Sequence, residues 1–237
     1  MNIVSVMAHQ DDELMCLGTM IRFKKMGHQL HFICLTDGSM GMVHKPDMPL
    51  YEAAAVRHRE MSELASKLGA TYTCLNAPDE YLFDNREIRN ALINALRATK
   101  ADVIFTHFTT DYNLDHMTTN QLVRQCAMHM PLPMIKTEAA PTATTPAVFM
   151  TEPFSGFEFE PSHWVDITDV IEEKMELAKC HKSQDEAFIA AYGEGRGIDN
   201  WVKTVSAKRG DQCGVQYAEA FKPMLSRGLV KPYSILP

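Results

Sequence analysis

Apolar and polar positions follow two alternating rhythms along the first part of the chain. Ile3–Met7 is a short apolar run, and from Glu13 to Met26 apolar residues recur at helical spacing. Leu30–Leu35 is a second run. Tyr51–Leu68 then carries a long amphipathic pattern closed by Gly69, a residue suited to the left-handed turn that ends helices. The alternation continues with a strand over Tyr72–Leu75, a helix over Arg86–Ala98, a strand over Val103–Thr106, a helix over Met117–Met130 and a strand over Ala147–Met150. Strands alternating with helices predict an α/β fold, a doubly wound, mostly parallel, Rossmann-like sheet covered on both faces.

Two stretches break the rhythm. Pro131–Pro146 is rich in Pro, Thr and Ala and reads as a loop or flap within the same domain, because strand signals resume directly after it. Beyond Pro161 come Val165–Thr168, a helix from Asp169 to about His181, and mixed helical and glycine-bearing sequence. The pattern predicts one domain over 1–237, with a core of about 1–160 and a C-terminal cap of about 161–237. It contains no internal repeat.

Composition narrows the class. The 237 residues are 46% hydrophobic and 22% charged, which suits a globular chain with a sizeable core. Lys+Arg 23 against Asp+Glu 30 gives a net charge of -7, which argues against a nucleic-acid partner. No apolar run reaches the length of a bilayer span, and the start MNIVSVMAHQDDE lacks a basic n-region, so the expectation is a cytoplasmic protein without signal peptide. The six cysteines form no C-x-x-C pair and read as reduced thiols.

The chemistry concentrates at two strand ends. Ala8-His9-Gln10-Asp11-Asp12-Glu13 follows the first strand, where an open parallel sheet binds ligands, and carries no dinucleotide fingerprint. The fourth strand ends at His107, and its loop runs through Asp111, Asn113 and Asp115 to His116. With strand order 3-2-1-4-5 the two loops face each other across one crevice. His9, Asp12 and His116 then form a two-nitrogen, one-carboxylate set with open positions, as in catalytic zinc sites; iron(II) accepts the same set. Asp111 and Asp115 are placed to orient neighbouring groups. The ordinary alternative for these acids is helix N-capping.

These residues also carry a family resemblance. AHQDDE resembles the A-H-P-D-D-E signature of the LmbE-like, or PIG-L, N-acetylglucosaminyl deacetylases, and Asp111–His116 resembles their D-Y-H-P-D-H motif. Arg57-His58-Arg59-Glu60 with Leu68-Gly69 is similar to their R-x-x-E…L-G helix. Val165–Thr168 with His181–Gln184, and Tyr217–Phe221, resemble their V-D-I-T…H-x-S-Q and Y-A-E-x-F segments. The resemblance implies zinc held by His9, Asp12 and His116. It makes Asp11 the general base that deprotonates the zinc-bound water, Arg57 a contact to substrate hydroxyls, and Asp115 the acid that orients the histidine two positions earlier.

Two positions depart from the family pattern. Gln10 stands for proline and removes no reactive group. Asn113 stands for the histidine assigned to the oxyanion or the leaving amine. An amide can donate a hydrogen bond to an oxyanion but cannot titrate near neutrality. Asp11 then serves as base and acid, or His107 or His163 substitutes. The resemblance thus implies a zinc-dependent hydrolase that removes an N-acetyl or other acyl group from an amino sugar or glycoconjugate. The alternatives are a metal- and sugar-binding protein with little turnover, and a metal-dependent hydrolase of another bond such as an ester. Specificity is expected from Asp37–Pro49 and Pro131–Pro146, Trp164 and Trp201 either stack on a sugar or pack inside, and His181 caps a helix end. A homo-oligomer is left open.

Overall fold

Strand β1 (Asn2–Met7) buries both of its faces, because residues 3 and 7 point into one apolar layer and residues 4 and 6 into the other. That double burial is what the continuous apolar run encodes. The computed structural model describes residues 1–227, so the last ten positions of the expected cap lie outside the described residues. Strands β2 (Gln29–Thr36), β3 (Thr71–Ala77), β4 (Val103–Thr106) and β5 (Ala147–Thr151) join β1 in parallel, in the order β3-β2-β1-β4-β5 that the alternation predicts.

The helices divide between the two faces. Helices α1 (Leu17–Lys25), α2 (Leu50–Leu68), α5 (Ile171–Ala178) and α7 (Ile198–Cys213) cover one face, where Met20, Ile21, Leu64, Ile171 and Val202 meet Ile3 and Phe32. Helices α3 (Arg86–Thr99) and α4 (Leu114–His129) cover the other, where Leu92, Leu96, Leu122 and Val123 meet Val4, Val6 and Ile104. Helix α6 (Lys182–Tyr192) sits at the carboxyl-end rim between α5 and α7 in sequence. Among the described residues no helix is long and apolar enough to cross a membrane.

Several elements differ from the sequence pattern. Helix α4 starts at Leu114 rather than Met117, because the Asn113 side-chain oxygen accepts from the backbone N–H groups of Asp115 and His116. His116 is therefore in the first helical turn. The stretch Glu13–Met26 is split into a 3₁₀ turn (Asp12–Met15) and α1. The C-terminal segment gives the sheet two more strands, β6 (His163–Asp166) and β7 (Ala218–Pro223); β7 runs antiparallel to β5 and carries β6 at the edge. The sequence pattern of β7, AEAFKP, is too short and too charged to announce a strand.

The charge on β7 has a structural task. Glu219 accepts from the backbone N–H groups of Gly18 and Thr19 at 2.7 Å each, capping the start of α1 from across the fold. Lys174 of α5, itself 2% exposed, donates to the same carboxylate at 2.7 Å. The pair pins α1, α5 and β7 together beneath the first loop. Glu219→Ala leaves a buried ammonium and two backbone donors without partners. We expect a loss of about 3–5 kcal/mol in urea-induced unfolding, with a much smaller loss when Lys174 is also replaced by Met.

Candidate metal centre

The loop after β1 and the first turn of α4 meet at the carboxyl ends of β1 and β4. His9 Nδ1 lies 3.2 Å from His116 Nε2, Asp12 Oδ2 lies 3.3 Å from the first nitrogen and Asp12 Oδ1 lies 3.3 Å from the second. A tetrahedral zinc with bonds of ~2.0–2.1 Å has ligand edges of ~3.3–3.4 Å, so the spacing within this triangle of residues is close to that of such a centre. The far nitrogen of each ring faces a carboxylate: His9 Nε2 is 3.0 Å from Asp79 Oδ1, and His116 Nδ1 is 3.1 Å from Asp111 Oδ1. With a metal bound, carboxylates in those positions would favour protons on the outer nitrogens and leave the inner nitrogens free to ligate it.

Electrostatics agree with the geometry. Burial works against a charge on His116, but Asp12 and Asp111 outweigh it and raise the imidazole to about 9. Burial likewise opposes a charge on His9, and hydrogen bonds to Asp115, Asp12 and Asp79 hold it well above its ordinary value. Asp12 is pushed up by burial, yet His116 and His107 bring it well below the usual carboxylate range. The triangle is thus a place that favours positive charge. It suits a divalent metal with His9, Asp12 and His116 as the ligands.

Asp11 sits beside this triangle in a conformation that costs energy. Its φ of 118° lies in the left-handed region, which L side chains rarely adopt. Three contacts hold it there. The Asp11 N–H donates to Glu13 Oε2 at 2.9 Å, the Asp11 carbonyl accepts from Leu14 at 3.0 Å, and Arg57 Nη2 donates to Asp11 Oδ1 at 2.7 Å. Burial pushes the Asp11 carboxyl up to about 6, against the opposing pull of Arg57. Glu13 is itself held by His181, whose Nε2 is 2.7 Å from Glu13 Oε1 and which is wholly buried. His181 is therefore the inner support of the loop, not the helix cap its place in the chain suggests.

Arg57 is 2% exposed on α2 and also donates to the Gln10 carbonyl. Its Nε and Nη1 have no hydrogen-bond partner, although the side chain lines the cavity. Gln10 is fully buried where the family has proline. Its amide donates to the Thr36 carbonyl and the Tyr72 hydroxyl at 3.2 Å, tying the first loop to β2 and β3. Gly38 makes room for it: a Cβ there would lie 2.1 Å from Gln10 Oε1, and φ is +67°.

The second loop divides its tasks differently from what the resemblance implies. Both ends of the Asn113 amide are occupied, the oxygen by α4 and Nδ2 by Glu80 at 3.0 Å. The Asp115 carboxylate accepts from the backbone of Glu80 and Leu82 at 2.8 and 3.1 Å and lies 3.6 Å from His9 Nε2. It braces the loop after β3 against His9. His107 Nε2 accepts from the Ala8 N–H at 2.9 Å, its ring stacks on His116, and burial with the neighbouring His116 lowers it to about 4. His163 lies on β6 and does not line the cavity.

Sequence reasoning missed Asp79 and Glu80. They follow β3, the edge strand of the parallel part, whose loop has no topological reason to reach the crevice. Asp79 bridges the gap by accepting from Met40 at 2.7 Å and facing His9. An Asp-Glu pair directly after a strand was the available signal. The centre opens into a cavity of about 600 Å³, lined by Gly38, Met40, Gly41 and Val43 of the expected specificity loop. No residue of 131–146 lines it. Arg97 holds that stretch against α3 through the carbonyls of Met130, Leu132 and Ile135 at 2.8–2.9 Å.

The chain is 24% identical over 225 residues to a diacetylchitobiose deacetylase of Thermococcus kodakarensis, covering 93% of this chain and 82% of that one. Its structure resembles the N,N'-diacetylchitobiose deacetylase from Pyrococcus horikoshii with a TM-score of 0.80 at 27% identity, over 94% of this chain and 83% of that one. It also resembles GalB, the 4-carboxy-2-hydroxymuconate hydratase of Pseudomonas putida KT2440, with a TM-score of 0.83 at 21% identity over 98% of both chains, a likeness of fold. The PIG-L family model, described as GlcNAc-PI de-N-acetylase, matches residues 4–127, which span both loops of the centre, and the chain belongs to this family.

Proposed function

We propose that this protein is a zinc-dependent hydrolase that removes an acetyl or other acyl group from the nitrogen of an amino sugar or sugar conjugate. The observation that carries the reading is the placement of Asp11 beside the zinc-sized triangle of His9, Asp12 and His116 at the end of an open cavity. The deacetylases among its relatives support the choice of an amide bond. Zinc bound to those three residues supplies a Lewis acid that polarises the acyl carbonyl and acidifies water.

The chain's own residues do the rest. Asp11 accepts the proton of the attacking water, and burial has poised it at about 6, close to the operating pH of a general base. Arg57 holds one of its oxygens, so the proton travels on the other. With Asn113 tied to Glu80 and to α4, Asp11 also returns the proton to the leaving amine. Arg57 lines the cavity and is the residue assigned to a substrate hydroxyl.

Acetate and free amine released from N-acetylglucosamine and its oligomers by the zinc-loaded protein test the reading. Zinc uptake without release from any N-acylated sugar would overturn it and leave a metal- and sugar-binding protein. Asp11→Asn is expected to lower kcat by roughly 10²–10⁴-fold while bound zinc stays at one equivalent; an unchanged kcat removes Asp11 from the chemistry. Asp79→Ala is expected to weaken zinc about 10–100-fold in competition with a chromophoric chelator, because His9 loses the carboxylate that faces its outer nitrogen. Equal affinity in that titration would deny Asp79 this role.

A further inference from the structure

Aromatic rings run outward from the candidate metal centre in unbroken contact. Tyr112 meets the His116 ring edge-on at 5.6 Å between centroids and meets Phe154 at 6.0 Å. Phe154 stacks on Trp201 at 4.5 Å and meets Phe188 edge-on at 5.8 Å, and Phe188 continues to Tyr192 at 5.7 Å. Four separate segments supply these rings: the loop before α4, the 3₁₀ turn Phe154–Gly156, α6 and α7. All five aromatic side chains line the cavity.

The chemistry of this wall is selective. Phe154, Phe188 and the neighbouring Ala187, Ala191 and Ile198 offer no hydrogen-bond donor from their side chains. Glu152 takes Nε and Nη2 of Arg209 and the Gln184 amide donates to the Gly41 carbonyl, which leaves the Tyr112 and Tyr192 hydroxyls and the Trp201 indole N–H as the polar tips of the aromatic path. Tyr112 and Tyr192 are 72% and 56% exposed, so apolar ring surface stands open to solvent at the cavity mouth. A second sugar ring would find few partners for its hydroxyls here, whereas an alkyl or aryl group would bury apolar surface against rings.

We propose that the path from Tyr112 through Phe154 to Phe188, Tyr192 and Trp201 is a subsite for an apolar substituent of the substrate. The protein then prefers hydrophobic sugar conjugates over short ones. This rests on the amino-sugar reading above. The apolar group can sit in the acyl chain or on the far side of the sugar, and ligands of both kinds separate the two.

The chain has two tryptophans, and Trp164 lies on β6 away from the cavity lining, so Trp164→Phe leaves Trp201 as the sole reporter on the path. Zinc-loaded Trp164→Phe protein, with Asp11→Asn added to suppress turnover, is titrated with three ligands followed by Trp201 emission. They are methyl N-acetylglucosaminide, hexyl N-acetylglucosaminide and N-hexanoylglucosamine. At least one hexyl ligand is expected to bind about tenfold or more tightly than the methyl compound with a change in emission, and which one does so identifies the side. Ala191→Glu, at an exposed position of α6, is expected to erase the preference. Binding of all three within twofold, or no emission response to the hexyl ligands, would overturn the subsite. Turnover by the Trp164→Phe protein with Asp11 intact separates the readings. Hexyl preference without amine release keeps the subsite and overturns the hydrolase; amine release with equal kcat/KM for methyl and hexyl substrates does the reverse.

Discussion

Two imidazole nitrogens held 3.2 Å apart, with a carboxylate 3.3 Å from both, make a small space suited to positive charge, whether a shared proton or a metal cation. Much of the molecule serves to hold that arrangement. The pairing of β1 with β4 brings together loops about a hundred residues apart in the chain. Asp79 and Asp111 fix the two rings from behind, and Asp115 fixes the loop that carries Asp79's neighbours. The strained backbone of Asp11 is part of the same construction, because Glu13 and Arg57 must grip it from two sides.

The family's scattered motifs become a single mechanical unit when seen together. Glu60, from the helix motif that contains Arg57, accepts the backbone N–H and hydroxyl of Ser183 at 2.7 and 2.6 Å, within the segment that contains His181. His181 in turn supports Glu13 and so the Asp11 backbone. Glu219 of the closing motif caps α1 just after the first loop. Motifs far apart in the chain therefore converge on one loop. The same C-terminal segment that clamps the loop from below lines the cavity above it, so support of the loop and lining of the cavity come from adjoining turns of chain.

The central architecture was legible because parallel strands buried on both faces leave continuous apolar runs, and because Gly69 marks a helix end that the structure keeps at φ 62°. The triangle was legible because strand order fixes which loops meet. Other features depend on three-dimensional neighbours that local pattern does not encode. β7 is a strand because β5 and β6 pair with it, whatever the charges of Glu219 and Lys222 suggest. Asp79 reaches the centre only through the fold of two loops. Asn113 carries a side chain able to reach an oxyanion, but its position at the head of α4 commits it to capping. The 131–146 stretch looks mobile by composition, yet one buried arginine, Arg97, holds it away from the cavity.

The central claim is that His9, Asp12 and His116 form one metal centre, and X-ray absorption at the zinc edge tests it most directly. The protein loaded with one equivalent of zinc should show only nitrogen and oxygen neighbours at ~2.0–2.1 Å, with the outer-shell scattering of two imidazoles. His116→Ala should reduce that imidazole signal to one ring. A sulfur neighbour at ~2.3 Å, or a spectrum that His116→Ala leaves unchanged, would contradict the account.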